Sequence, residues 1–221
     1  MKFMTIIDNM FPRKKYISKI NFGHQYIQEK LGNDKYSIQR HIIGEIIPHD
    51  QDTVGDDLDC TLSSISTLFE YLVKLDFEDI YNHVIDIGVN PKWISNPRKY
   101  GTIPLFIKNI INNVLKAYKD KGLIANGGKS RQLYLKGLGY NINTIINQID
   151  NSNPVILNLS GNSHKDYYSN HTILIIGYHI FENKKREKIV LLKIYDNWET
   201  KHNTYLDYNA IPFISSINYI K

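Results

Sequence analysis

The strongest constraint on the fold is the segment SNHTILIIGYHIFENKKREKIVLLKIYDNW, which covers residues 169–198. Two apolar runs rich in aliphatic residues flank the polar turn ENKKREK, and this pattern predicts an antiparallel hairpin. Positions 171 and 196 lie equally far from the middle of that turn. A symmetric hairpin therefore places His171 beside Asp196 at its open end, where a carboxylate can orient an imidazole ring.

Helical periodicity dominates the chain before residue 150, and β patterns dominate after Pro154. Apolar spacing predicts a helix from about Cys60 to Leu75, with Asp59 as its N-cap. The other predicted helices cover residues 76–88, 102–122 and 140–150. Helices followed by a sheet predict an α+β fold with two lobes.

The chain is short enough for one domain with a full core, since it has 221 residues. Residues 1–55 are interpreted as an N-terminal extension whose short apolar runs, KYISKINF and YSIQRHIIGEII, form strands that pack on the domain. The domain itself covers residues 56–221. Its helical lobe is predicted at residues 56–150 and its sheet lobe at residues 151–221.

Composition argues against several classes of protein. The net charge is only +5 and the lysines are scattered, so no nucleic-acid partner is predicted. There is neither a signal peptide nor a run of eighteen apolar residues, which predicts a cytoplasmic protein without a membrane span. The single cysteine excludes an internal disulfide and fits a reducing compartment. The sequence leaves the oligomeric state open.

Motifs for metals and cofactors are incomplete. DQDTVGDD resembles a calcium loop, but Val54 and Thr61 replace two of its ligands. LIANGGKS resembles a phosphate-binding loop, but Leu123 stands where its first glycine is needed, and a loop between helices explains the segment better. His164 and the other histidines lack zinc-ligand spacing. No metal and no cofactor are predicted.

Cys60 stands at the start of the predicted helix, where unpaired backbone N–H groups and the positive end of the helix dipole favour an anion. A lone cysteine is more often an inert, buried residue. The predicted His171–Asp196 pair changes this balance, because a thiol, an imidazole and a carboxylate together form a nucleophile, a base and an orienting group.

Five segments resemble the papain-like cysteine peptidases, in particular their bacteriocin leader peptidase-like branch. DCTLSS is similar to the nucleophile motif, NPVILNL to the strand before the histidine, and NHTILIIGY to the histidine strand. YDNW resembles the Asp-x-Trp motif, and YLDYNAIPFISSI the usual tail. The resemblance covers residues 55–221. It implies a papain-like α+β fold whose helical lobe carries the cysteine and whose antiparallel sheet lobe carries the histidine and the aspartate.

The resemblance also implies roles for individual residues. Cys60 is the expected nucleophile, His171 the general base and acid, and Asp196 the orienting group, while Trp198 shields the His–Asp contact from water. Papain-like enzymes place an oxyanion-binding glutamine six residues before the cysteine, where this chain has Val54. Gln51 is then the nearest substitute.

The predicted function is cleavage of a peptide or amide bond through a thioester on Cys60. The substrate is a peptide or a small acyl or amide compound held in a cleft between the lobes. Two alternatives stay open at this point. One is a thiol acyltransferase or amidase on the same fold, and the other is a catalytically inactive papain-like binding module.

Overall fold

The structure is a computed structural model of the chain. It describes residues 20–21, 24–32, 35–50, 59–89, 101–124, 128–160, 170–198 and 204–221. The helices among these residues are α1 (His24–Leu31), α2 (Cys60–Val73), α3 (Phe77–His83), α4 (Pro104–Asp120) and α5 (Ile142–Asp150). The strands are β1 (Ile20–Asn21), β2 (Tyr36–Ile42), β3 (Ser130–Tyr134), β4 (Val155–Leu159), β5 (His171–Asn183), β6 (Lys188–Tyr195), β7 (Thr204–Asp207) and β8 (Ser215–Ile220).

The eight described strands form one antiparallel sheet. Seven of them follow the order β1-β7-β6-β5-β4-β8-β3, and the eighth, β2, pairs with β5 outside this order. Strand β5 is the longest and organises the sheet. One edge of β5 pairs with β6. The other edge pairs with β4 along residues 171–175 and with β2 along residues 177–183. His171 is the first residue of this central strand.

The β5–β6 hairpin forms as predicted, but its register is not symmetric. A β-bulge lies between Ile175 and Gly177, because Ile175 faces Ile194 whereas Gly177 faces Lys193. The last paired residues at the open end are Leu174 and Tyr195. Asp196 therefore follows the end of β6, and it reaches His171 from a turn instead of facing it across the ladder.

The helical layer covers one side of the sheet. Helix α2 packs against β5, and all of its first ten residues are buried, including three serines and two threonines. Helices α3 and α4 pack beside it, and α3 continues as a π-helical turn at Val84–Gly88. A Cβ on Gly88 would lie 2.8 Å from Ile110 Cγ2, so the close approach of the two segments requires glycine at this position.

The main core lies between this helical layer and the sheet. It is formed by apolar side chains of α2, α3, α4 and α5 and of the central strands, and many of them are fully buried. Burial of this much apolar surface is the dominant stabilising contribution to a fold of this size. The core thus fixes α2, which begins with Cys60, against β5, which begins with His171.

The described part of the N-terminal segment belongs to the sheet. Strand β1 pairs with β7, β2 pairs with β5, and α1 packs against β5 and β6. A second, smaller core forms there, with Ile27 and Leu31 from α1 packed on Phe181, Ile189 and Leu191. Among the described residues, β1, α1 and β2 therefore extend the sheet lobe.

Several local predictions differ from the structure. The loop predicted at LIANGGKS ends earlier than expected, because Ser130–Tyr134 forms the edge strand β3 by pairing with β8 near the end of the chain. Asp59 is the N-cap residue of α2, as predicted. The Asp59 side chain makes no capping hydrogen bond, and its carboxylate accepts a hydrogen bond from Tyr81 Oη instead. The predicted cap at Asp76 is present, since its side chain accepts from the Glu78 N–H.

Candidate active site

Cys60 and His171 line the same pocket, which has a volume of about 560 Å³. The pocket lies where the start of α2, the start of α4, the end of β4 and the start of β5 meet. Cys60 is 9% exposed and His171 is 3% exposed. The other lining residues are Thr61, Gly101, Thr102, Ile103, Pro104, Asn158, Leu159, Ser160, Asn170, Thr172 and Trp198.

Two threonines surround the Cys60 thiol with hydrogen-bond donors. Backbone and side-chain groups of Thr172 and Thr61 lie near the sulfur and act on the thiol in the direction that favours the thiolate. Burial opposes them and is the larger effect, so the pKa of the Cys60 thiol is raised above its ordinary value. The resting state of this site is therefore a neutral thiol whose thiolate would find donors already in place.

The two threonine hydroxyls also contact each other. Thr61 Oγ1 and Thr172 Oγ1 are 2.8 Å apart, and Asn158 Nδ2 donates to Thr172 Oγ1 over 2.9 Å. One hydroxyl proton lies between the two oxygens, whichever of them donates it. The proton of the other hydroxyl then remains for the sulfur. The pair can thus donate to a thiolate in either arrangement.

His171 is held by a backbone carbonyl. Its Nε2 lies 2.6 Å from the carbonyl oxygen of Asp196. A carbonyl oxygen only accepts hydrogen bonds, so Nε2 must carry the proton. The neutral ring consequently has its unprotonated nitrogen at Nδ1, and this atom is the one that can accept a proton from a thiol.

The protonation state of His171 follows from its burial. Burial lowers the pKa of His171 to about 4, while the hydrogen bond to the Asp196 carbonyl and the Asp196 charge act in the opposite direction. The imidazole is therefore neutral near pH 7. Asp196 thus acts on the ring in two ways, since its backbone carbonyl accepts the hydrogen bond from Nε2 and its carboxylate contributes a negative charge.

Trp198 covers the imidazole. Its ring stacks on His171 with the centroids 4.0 Å apart and the planes 27° apart. The backbone N–H of Trp198 donates to Asp196 Oδ1 over 3.3 Å, so a single turn fixes both the carboxylate and the covering ring. Asp196 is 1% exposed. This arrangement keeps water away from the His171–Asp196 contact.

Asn197 connects the two sides of the site. Its Nδ2 lies 3.1 Å from the carbonyl oxygen of Cys60, 2.8 Å from Ser64 Oγ and 3.3 Å from the carbonyl oxygen of Thr172. Its φ of 62° is left-handed, a conformation that asparagine tolerates better than most residues. One buried carboxamide therefore joins α2, β5 and the turn after β6.

Sequence reasoning identified the residues with obvious chemistry and missed those that position them. Thr172, Asn158 and Asn197 were not singled out, because their importance depends on contacts between segments far apart in the chain. One signal was present, since Thr61 and Thr172 directly follow the two reactive residues. Gln51, the predicted oxyanion residue, and His164 lie outside the described residues.

Two further findings concern the described residues alone. No cluster of three or more histidine, cysteine, aspartate or glutamate side chains suitable for a metal ion occurs among them. Within the same part of the chain, every helix is too short or too polar to cross a bilayer.

Comparison with known proteins adds family and fold. Residues 16–219 match the model of the Peptidase_C39 like family. The chain is also similar to the crystal structure of a protein from Bacillus anthracis that was assigned as a C39-like peptidase. The TM-score is 0.52 at 14% identity, and the match covers 83% of this chain and 98% of that one. No curated protein matches the sequence. The predicted resemblance and the predicted papain-like α+β fold are confirmed.

Proposed function

We propose, from the premise that this chain belongs to the C39-like peptidase family, that it cleaves an amide bond of a peptide by nucleophilic attack of Cys60. The family makes the chain a cysteine peptidase, and a peptide is the substrate that it implies. The triad of Cys60, His171 and Asp196 and the individual steps are our proposal. The observation that carries it is that Cys60 and His171 share one pocket.

The first step forms a thioester. Nδ1 of His171 takes the thiol proton, and the sulfur attacks the carbonyl carbon of the substrate. The same proton then passes from Nδ1 to the amine nitrogen as the C–N bond breaks. Nε2 keeps its proton and its hydrogen bond to Asp196 throughout, and the Asp196 charge stabilises the imidazolium that exists between the two transfers.

The second step is hydrolysis of the thioester. A water molecule gives a proton to Nδ1 of His171 while its oxygen attacks the thioester carbonyl. The C–S bond breaks, the acid product leaves, and the proton returns to the sulfur. The oxyanion of both steps would be stabilised by the N–H groups at the start of α2, with Gln51 as the proposed side-chain donor.

Labelling of the only cysteine tests the reactivity of this site. We expect a peptide carrying a C-terminal vinyl sulfone to modify wild-type protein, and mass spectrometry to locate the stable thioether on Cys60 without ambiguity. His171→Ala should lose most of this modification, because the base is absent. Equal modification of wild type and of the His171 variant would contradict the proposed role of the imidazole.

Cleavage of a complex peptide mixture tests the activity itself. Wild type is compared with Cys60→Ala at equal concentration, and new peptide ends are counted by mass spectrometry. We expect new ends with wild type alone, and addition of a simple amine would reveal acyl transfer as an amide product. Identical peptide patterns for the two proteins would contradict the peptidase proposal and favour an inactive binding module.

A further inference from the structure

A second cavity lies beside the Cys60 pocket, between α4 and the edge strand β3. It has a volume of about 620 Å³, and we call it the α4–β3 groove. Four of its eight lining residues are the cations Lys108, Lys129, Arg131 and Lys221, and none is acidic. Within the part of the chain that the structure describes, no ion pair involves any of these four.

The groove and the Cys60 pocket approach each other at Pro104. Pro104 lines that pocket, and its carbonyl oxygen accepts a hydrogen bond of 2.6 Å from Gln132 Nε2, which belongs to the groove. Lys108 lies one turn of α4 beyond Pro104. At the far end of the groove, Asn112 Oδ1 accepts a hydrogen bond of 2.8 Å from the Ser130 N–H. A chain leaving the pocket over the start of α4 would therefore enter the groove directly.

The dimensions and the charge of the groove indicate its ligand. Pro104 and Asn112 are eight residues apart on a helix, which corresponds to about 12 Å, or roughly four residues of extended peptide. Lysine and arginine side chains without acidic partners attract carboxylates, and the attraction is strongest at low salt. The Ser130 hydroxyl is buried and, among the described residues, has no hydrogen-bond partner, which adds a polar group to this wall.

We propose that the α4–β3 groove binds an acidic stretch of the peptide substrate, a few residues to one side of the bond cleaved at Cys60. This inference rests on the proposed peptidase function, because it treats the groove as an extension of the substrate cleft. It makes the preferred substrates of this chain peptides with clustered aspartate or glutamate residues on one side of the cleavage site.

Binding is tested on a protein that cannot cleave. Fluorescein-labelled hexaglutamate is titrated into Cys60→Ala protein at low salt, with hexaserine and an oligothymidylate as comparisons. We expect Lys129→Glu with Arg131→Glu to weaken hexaglutamate binding about ten-fold or more, because the double variant replaces two attractive charges by two repulsive ones. The matched control, Lys184→Glu with Lys185→Glu in the exposed β5–β6 turn, should leave binding unchanged.

Three outcomes would contradict the proposal that the groove binds an acidic peptide. One is equal hexaglutamate binding by the two double variants, another is hexaserine binding as tight as that of hexaglutamate, and the third is oligothymidylate binding through the groove at least as tightly as hexaglutamate. Cleavage of a peptide mixture by wild type should show acidic residues enriched on one side of the cut, and Lys129→Glu with Arg131→Glu should remove the enrichment.

The failures of the two proposals are distinguishable. Efficient cleavage without acidic preference, unchanged by Lys129→Glu with Arg131→Glu, would contradict the groove proposal. It would leave the proposed peptidase function intact. Groove-dependent hexaglutamate binding without any cleavage by wild type would support the groove as a peptide site and overturn the peptidase function.

Discussion

His171 is a buried titratable group, and its neutral state links the protein's stability to pH. The pKa in the folded protein is about 4, against 6.5 for an unperturbed imidazole. Between these two values the unfolded chain binds the proton more tightly than the folded protein does. The contribution of His171 to stability is therefore fully present above pH 6.5, and it is lost as the pH falls towards 4.

The first prediction concerns this window. On lowering the pH from 7 to 4.5, the free energy of unfolding of wild type should fall by about 2 to 3 kcal/mol more than that of His171→Gln, since a pKa difference of one unit corresponds to 1.36 kcal/mol. Glutamine keeps a donor for the Asp196 carbonyl but does not titrate. Denaturant melts at both pH values measure the difference, and parallel pH dependence in the two proteins would show that the ring is not buried in its neutral form.

The second prediction concerns the threonine hydroxyl next to the sulfur. Thr172→Val removes one of the groups that favour the thiolate, so the pKa of the Cys60 thiol should rise further. The rate of iodoacetamide alkylation measured against pH reports the shift. Thr172→Ser, which keeps the hydroxyl, should restore the wild-type profile.

Purely structural damage would not produce this pattern. A loosened pocket would change the alkylation rate at every pH, whereas loss of a donor moves the midpoint of the profile. If wild type and Thr172→Val have the same midpoint, the Thr172 hydroxyl does not stabilise the thiolate.

At the scale of elements, the N-terminal segment behaves as part of the sheet lobe. Seven residues of β2 pair with β5, and Ile27 and Leu31 of α1 are buried in the second core. Removal of this segment would expose one edge of β5 and the apolar surface under α1.

The third prediction follows from that packing. Leu31→Ala should lower the free energy of unfolding by about 2 to 4 kcal/mol, because it leaves a cavity in the second core. The same substitution at Leu72, which is 37% exposed on α2, should cost under about 1 kcal/mol. Denaturant unfolding of both variants provides the measurement. Equal losses at the two positions would mean that α1 is not held against the sheet.

Sequence patterns predicted those elements whose periodicity is strong and local. The helix at Cys60, the helix after Asp76 and the hairpin with its polar turn are all present. Strand β3 was missed because five mixed residues become a strand only by pairing with β8, some eighty residues later. The bulge at Ile176 was missed for a similar reason, because it lies where the two partners β4 and β2 meet on one edge of β5.

The same contrast applies to the site. Residue types and their order along the chain were enough to select Cys60, His171, Asp196 and Trp198. The structure brings Cys60, His171 and Trp198 to one pocket, with Asp196 behind the ring. Asn197 could not be recognised, because a carboxamide in a turn has no distinguishing pattern until the chain carbonyls of α2 and β5 approach it.

At the scale of the whole molecule, the site depends on the interface between the helical layer and the sheet. The proposed nucleophile belongs to α2 and the proposed base to β5, and Asn197 hydrogen-bonds to both elements. The proposed groove lies at the same interface, between α4 and β3. Substrate recognition and chemistry would thus share one boundary, so a change that shifts the two layers would affect both.

The sheet cannot be completed until its late strands have been synthesised. The first strand of the described sheet needs residues 204–207, and β3 needs residues 215–220 as its neighbour. A ribosome adds about 5 to 20 residues per second, so Cys60 is synthesised roughly 7 to 30 s before β7 and β8 are complete. Throughout that interval the nascent chain carries Cys60 without the complete sheet that supports its pocket.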